Sequence, residues 1–196
     1  FMALAGLDAG TAFGGEGSSR EMTVAILVEP MMMLCLFTAA ISAGSTNIAR
    51  IAETQHLLYS PSHILALSAF LVAIIAETGR IPVDNPDTHL ELTMIHEGMI
   101  LEYSGPYLAL MEWAHDMKQM LLFTLTADIF FPVGIATDTG LFSLALSFAF
   151  FVFKMLFMAC LMAWVESTRA KIRFFQLPSL LEGAFVLAFL SLLTYI

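Results

Sequence analysis

Five stretches of the sequence are apolar for about as long as a helix needs to cross a lipid bilayer, and this limits what the chain can become. They cover residues 22–43, 62–77, 107–132, 141–165 and 179–196. A hydrocarbon core of about 30 Å takes roughly 20 helical residues. Backbone amides inside it must bond within the chain, so each stretch is expected to be a helix. Composition agrees, since 59% of the 196 residues are hydrophobic and 13% are charged, against about 25% charged in an average soluble domain. So much apolar surface, 17 Phe and 13 Met included, cannot be hidden in one soluble core of this size. The expected fold class is all-α: a polytopic transmembrane helix bundle of about five full spans, forming one integral membrane domain over residues 1–196. The opening FMALAG reads as the tail of a further apolar segment, so the chain is expected to be N-terminally truncated.

Five crossings make the connecting segments alternate between two sides. Segments 8–21, 78–106 and 164–178 share one side and carry Arg20, Arg80, Arg169, Lys171 and Arg173. Segments 44–61 and 133–140 share the other and carry Arg50. The side richer in Lys and Arg is expected to be cytoplasmic. A net charge of −9 argues against a nucleic-acid partner, which is held through Lys and Arg. Cys35 and Cys160 both lie in apolar runs and form no C-x-x-C motif.

The connecting segment 78–106 is unusually acidic for one between two apolar runs. It reads, from Glu77, ETGRIPVDNPDTHLELTMIHEGMILEYSG. Pro82 and Pro86 break the helix that ends near Thr78. Thr88-x-x-Glu91 reads as a capping box, with Asp87 supporting the same helix start through the dipole. The spacing predicts a helix over 89–103 that Gly105-Pro106 ends. At about 100° per residue, Leu90, Met94 and Leu101 share one stripe, Glu91 and Glu102 a second, and His89 and His96 a third. Such a helix is too polar to span. It is expected to lie across the cytoplasmic ends of the spans, where Tyr103, the histidines and the acids form a partly buried polar funnel. A solvated charged helix beside the membrane is the plainer alternative. His89 and His96 are two turns apart, about 10 Å along the axis, which is not the H-E-x-x-H spacing of a zinc site. No P-loop, dinucleotide fingerprint or nucleophile elbow occurs. Neither a catalytic residue nor a metal ligand is expected.

Ionisable residues also stand inside the spans. Glu29 precedes Pro30 in the first; Glu112, His115, Asp116 and Lys118 crowd the first half of the third; Asp128 follows later in it. Lys154 is near the middle of the fourth, and Glu182 begins the fifth. A charge near the bilayer centre costs about 2.5–3.5 kcal/mol on insertion scales, so such groups face a protein interior or a wet cavity. Their set is expected to form a proton or ion pathway. Structural pairing between helices, Lys154 with an acid on a neighbour for instance, is the alternative.

The acidic segment, together with FMALAGLDAGTAFGGEGSSREMTVAILVEP before it and KMLFMACLMAWVESTRAKIRFFQLP after it, resembles a known family. This is the membrane subunit shared by respiratory complex I, where it is NADH dehydrogenase subunit 1, and the energy-converting membrane-bound nickel–iron hydrogenases. PVDNPDTHLELTMIHE and ESTRAKIRFFQ are closer to the hydrogenase branch, as in formate hydrogenlyase and hydrogenase-4. His89, the longer link from Glu91 to Glu102, and the absence of an acid in Arg173-Phe174-Phe175-Gln176 separate the chain from the complex I branch, to which the quinone chamber belongs. The resemblance implies a non-catalytic subunit that anchors a soluble electron-transfer arm and couples its redox chemistry to ion movement. The implied coupling positions are Glu29, Asp84, Asp87, Glu91, Glu102 and Lys154, with Arg80 and Tyr103 also matching. Physical reasoning adds Glu97, Glu112 and Asp128 to the pathway, and His89, His96 and Arg173 to loop structure and docking. Implied partners are hydrogenase large and small subunits, an iron–sulfur subunit, antiporter-like membrane subunits and membrane lipid. The nickel–iron centre and iron–sulfur clusters are expected in those partners, with no cofactor bound by this chain. The implied location is the inner (plasma) membrane of a prokaryotic cell. A quinone-site subunit of complex I and a purely structural membrane anchor are the alternative functions.

Overall fold

The structure, a computed structural model, describes residues 2–53, 60–84, 94–136, 140–170, 172 and 176–195. Every regular element among the described residues is helical. In order they are α1 (Met2–Asp8), α2 (Ala12–Ala43), α3 (Ile48–Glu53), α4 (Pro61–Glu77), α5 (His96–Ile100), α6 (Gly105–Phe130), α7 (Leu141–Thr168) and α8 (Leu177–Leu193).

Local chemistry sets their ends. The Thr11 hydroxyl accepts the Gly14 N–H at 3.2 Å and caps α2. Gly44, left-handed at φ 63°, closes the same helix through the Ala40 and Ile41 carbonyls. Pro61, Pro106 and Pro178 lie in the first turns of α4, α6 and α8, where a missing N–H leaves no bond unmade. Four of the five apolar stretches thus become helices within a few residues of their expected bounds. The first starts earlier, at Ala12 rather than 22, because the Thr11 cap lies upstream of the apolar run and nothing between breaks the helix.

Two helices, α2 and α7, are long and apolar enough to cross a membrane. At 1.5 Å per residue they are about 48 and 42 Å long. The helices α4 and α8 are apolar but shorter, at 17 residues each. The 26-residue α6 has the length of a span but carries several charges.

Contacts at the two ends of the bundle fix the helix directions. Lys118, midway along α6, pairs with Glu77 at the end of α4 at 2.6 Å. Arg80, just past α4, lies 3.7 Å from Glu166 near the end of α7. The Ile172 N–H donates to the Pro82 carbonyl at 2.9 Å. At the opposite end His63, opening α4, stacks on Phe130, closing α6, with ring centres 4.9 Å apart. There too Thr38 of α2 meets Ser191 of α8 at 3.0 Å. Helices α2, α6 and α8 therefore run one way, and α4 and α7 the other.

The core lies between α2, α4 and α8. Ala66, Ala69 and Ala73 on α4, Ala39 on α2 and Ala188 on α8 are fully buried. Small side chains let helix backbones approach, and such contact holds helices together in lipid, where burying apolar surface gains little. Phe70, Met31, Val28 and Leu181 fill the rest. In contrast, α7 buries only Met158 and Met162 and turns Phe142, Phe148, Phe153 and Trp164 outward.

The acidic segment departs from expectation. The single helix expected over 89–103 does not form: Met94 and Ile95 are non-helical and α5 starts at His96. The buried Asp84 carboxylate accepts the N–H groups of Ile95 at 3.0 Å and His96 at 3.1 Å. An acceptor from eleven residues upstream thus satisfies the backbone donors that open α5. The expected stripe is corrected as well, since Met94 is buried but Leu101 is 41% exposed. Gly98, Met99 and Ile100 form the inward face instead. Asp87, Thr88, His89, Leu90 and Glu91, with the expected capping box, lie outside the described residues. The expected stop at Gly105-Pro106 is corrected too: α5 already ends at Ile100, and Gly105, at φ 59°, a backbone conformation that favours glycine, opens α6.

Candidate functional site

Titratable groups gather at the bundle end where α4 stops. Gly79, at φ 54°, turns the chain out of α4, and the Val83 N–H closes a turn on the Arg80 carbonyl at 2.8 Å. The turn delivers Asp84 to the interior, 1% exposed, where it organises the start of α5. Gly17 of α2 lets α5 approach closely: a Cβ there would lie 2.9 Å from the Ile95 carbonyl oxygen. Arg20 holds the same region by donating to the Met94 carbonyl at 2.9 Å.

Two adjoining hollows result. The outer one is a cleft of about 220 Å³ lined by Arg80, Asp84, Glu97, Glu112 and Asp116 along with His96 and His115. The inner one, about 50 Å³, is lined by Glu21, Glu77 and Lys118 along with the same two histidines. The His96 and His115 rings stand with centres 4.2 Å apart at a 40° tilt. Burial pushes the His96 imidazole down to about 4, helped by the neighbouring His115, Lys118 and Arg80 against the opposing pull of Asp84. His96 is therefore neutral at pH 7. Glu21 shares the field of Lys118, Glu77 and Asp84. Arg80 ties three helices at this end, donating to Gln119 Oε1 at 2.9 Å while its buried Nε faces Glu166.

Of the residues singled out in the sequence, Arg80, Asp84, His96, Glu97 and Glu112 meet in the outer cleft. Tyr103 is near but separate, its hydroxyl donating to the Ala5 carbonyl at 2.9 Å. Glu102 is exposed, which corrects its expected place in a buried funnel. Its turn lies past the end of α5, outside the fold-back that Asp84 holds. Glu29 is exposed on the outer face of α2, away from the cleft. Asp128 and Lys154 interact with each other elsewhere, between α6 and α7. Asp87, His89, Glu91 and Arg173 lie outside the described residues. Glu21 was missed by the sequence reading. Its signal was weak: one acid next to Arg20 at the edge of an apolar run. His115, Asp116 and Lys118 were visible, with Glu112, as charges crowding the first half of the third span, and Glu77 as the end of the second, but not as sharing one site. Among the described residues, no group of three or more His, Cys, Asp and Glu is arranged to hold a metal ion. Carboxylates, imidazoles and an ammonium in linked hollows are suited to binding and passing protons.

Fold and site together define a helical protein with membrane-length apolar helices and a polar cluster at one end of the bundle. The chain belongs to the NADH dehydrogenase family, which it matches over residues 1–196. It is 39% identical over 193 residues to hydrogenase-4 component C of Escherichia coli (strain K12), covering 97% of this chain and 60% of that protein. It is 34% identical over 194 residues to formate hydrogenlyase subunit 4 of the same organism, covering 97% and 62%. NADH-ubiquinone oxidoreductase chain 1 of Pongo pygmaeus is 32% identical over 181 residues, covering 91% and 54%. The chain thus spans about three fifths of the first two relatives. The resemblance read in its acidic segment holds at the level of both the family and these hydrogenase-type relatives.

Proposed function

We propose that this chain is the membrane-anchoring and proton-coupling subunit of a membrane-bound nickel–iron hydrogenase complex of the formate hydrogenlyase type. Five of its helices span the inner membrane of a prokaryotic cell, and the end that carries the acidic cleft faces the cytoplasm. There it docks the soluble arm whose large, small and iron–sulfur subunits hold the nickel–iron centre and the clusters. Antiporter-like membrane subunits sit beside it. The observation that carries this reading is the polar passage of two linked hollows at one end of an apolar bundle. Carboxylates, two imidazoles and an ammonium lining adjoining hollows form a set of proton donors and acceptors, and a change of charge in a docked arm acts on them through the field they share. Asp84, Glu97 and Glu112 belong to this set, with Glu77, Glu21 and Lys118 deeper. Asp87 and Glu91 are counted with it as family matches, from the sequence alone. Asp128 and Lys154 form a second station within the membrane. Glu29 points away from this chain's own core, and its charge requires a neighbouring subunit or water rather than lipid.

The test is isolation of the tagged chain from detergent-solubilised membranes of its source. The proposal predicts nickel and iron in the preparation and hydrogen oxidation with a viologen acceptor. Co-isolation of NADH-oxidising subunits without nickel contradicts it in favour of the complex I reading.

A further inference from the structure

Both hollows of the site are lined by the same two rings. His96 and His115 stand between Asp84, Glu112 and Asp116 on the outer side and Glu21, Glu77 and Lys118 on the inner side. Their ring centres are 4.2 Å apart. We propose that the His96–His115 pair is the proton relay between the outer acidic cleft and the inner Glu77–Lys118 pocket. This deepens the proposed function and rests on it.

Geometry and chemistry both support the step. The inner hollow of about 50 Å³ has room for little more than a water or two, so protons need side-chain carriers there. Imidazole suits the task because it takes a proton on one nitrogen and releases the proton held by the other. A carboxylic acid of the outer cleft gives its proton to His96, becoming a carboxylate. The rings are stacked rather than joined nitrogen to nitrogen, so a turn of the ring or a water in the hollow carries the proton from the other nitrogen of His96 to His115. His115 passes one on in the same way to the carboxylate of Glu77 or Glu21. Each ring ends neutral in its other tautomer and resets by rotation. Burial keeps His96 neutral at rest, so it holds an extra proton only in passing. Lys118, in contact with Glu77 at 2.6 Å, holds the inner carboxylate in place.

The experiment uses the whole complex in sealed vesicles and reads protons moved per hydrogen formed, with a protonophore as control. His96→Ala and His115→Ala are compared with His115→Phe and with Glu77→Gln. The relay predicts at least a tenfold fall in the ratio for each histidine variant, and its recovery in the Ala variants, which leave room for a free ring, on adding millimolar imidazole. Glu77→Gln also loses the ratio, but imidazole does not restore it. Wild-type ratios in the histidine variants, with the Glu77→Gln loss intact, overturn the relay and leave the proposed function standing. A loss that imidazole does not repair gives the rings a structural role and also overturns the relay. A wild-type complex that moves no protons overturns both.

Discussion

Asp84 is almost wholly buried, and two backbone N–H groups donate to its carboxylate from eleven and twelve residues further along the chain. Hydrogen bonds to a charged acceptor are worth about 1.5–3 kcal/mol each, and an orphaned buried donor costs more than a neutral exchange. Asp84→Ala is therefore expected to speed hydrogen exchange at Ile95 and His96 by about 10- to 100-fold, since about 1.4 kcal/mol is tenfold. Asp84→Asn, which keeps one acceptor oxygen, is expected to fall between that variant and wild type. Unchanged exchange in Asp84→Ala contradicts this role. His96 gives a pH signature. Its folded value of about 4 lies below the ordinary 6.5, so between these values the unfolded chain binds more protons than the folded one. The stability His96 contributes is complete above about 6.5 and is lost as pH falls toward 4. Thermal unfolding of the complex across that range should steepen with acid less in His96→Gln than in wild type.

Helix α5 meets α2 at Gly17, where an added Cβ would press on the backbone of Ile95 and Met99. Backbone cannot swing aside as a side chain does, so Gly17→Ala should cost about 1–3 kcal/mol and loosen the outer cleft. Gly15, on the same helix, has open space around its missing Cβ. Gly15→Ala should be neutral or slightly stabilising. Equal thermal shifts for the two variants would contradict the close packing of α5. These elements also show what was legible in advance. The long apolar runs announced α2, α4, α6, α7 and α8, because hydropathy over some twenty residues is a local property. Gly105-Pro106 marked a helix boundary for the same reason, although the boundary is the start of α6 and not the end of the preceding helix. The break between Met94 and His96 was not, because its cause is a contact from Asp84, and no local window contains both. Likewise Glu21 joins Glu77 and Lys118 only through the antiparallel packing of α4 against α2 and α6. The grouping of His96 with His115 was hidden for the same reason, although each residue was noted.

The whole molecule is unevenly covered by its own chain. Helices α2, α4 and α8 form a tight core, while α7 turns a broad aromatic face outward. Lipid or a partner subunit covers that face in the assembled membrane. The two cysteines sample this contrast, with Cys35 buried in the core and Cys160 exposed on α7. In the detergent-solubilised isolated chain, a lipid-soluble maleimide should label Cys160 and spare Cys35. Labelling of Cys35 at the same rate would contradict the packing of α2 against α4 and α8. Many of the titratable groups, by contrast, gather at one end, where Glu77, Arg80 and Asp84 meet Glu21 of α2, His96 of α5, Glu112 to Lys118 of α6 and Glu166 of α7. The proposed coupling of redox chemistry to protons belongs to that end. It is tested most directly by proton movement in sealed vesicles during hydrogen turnover, comparing the wild-type complex with one carrying Glu77→Gln. The account predicts a protonophore-sensitive pH change in the wild type and at least a tenfold smaller one per hydrogen in the variant. An undiminished pH change in Glu77→Gln would contradict it.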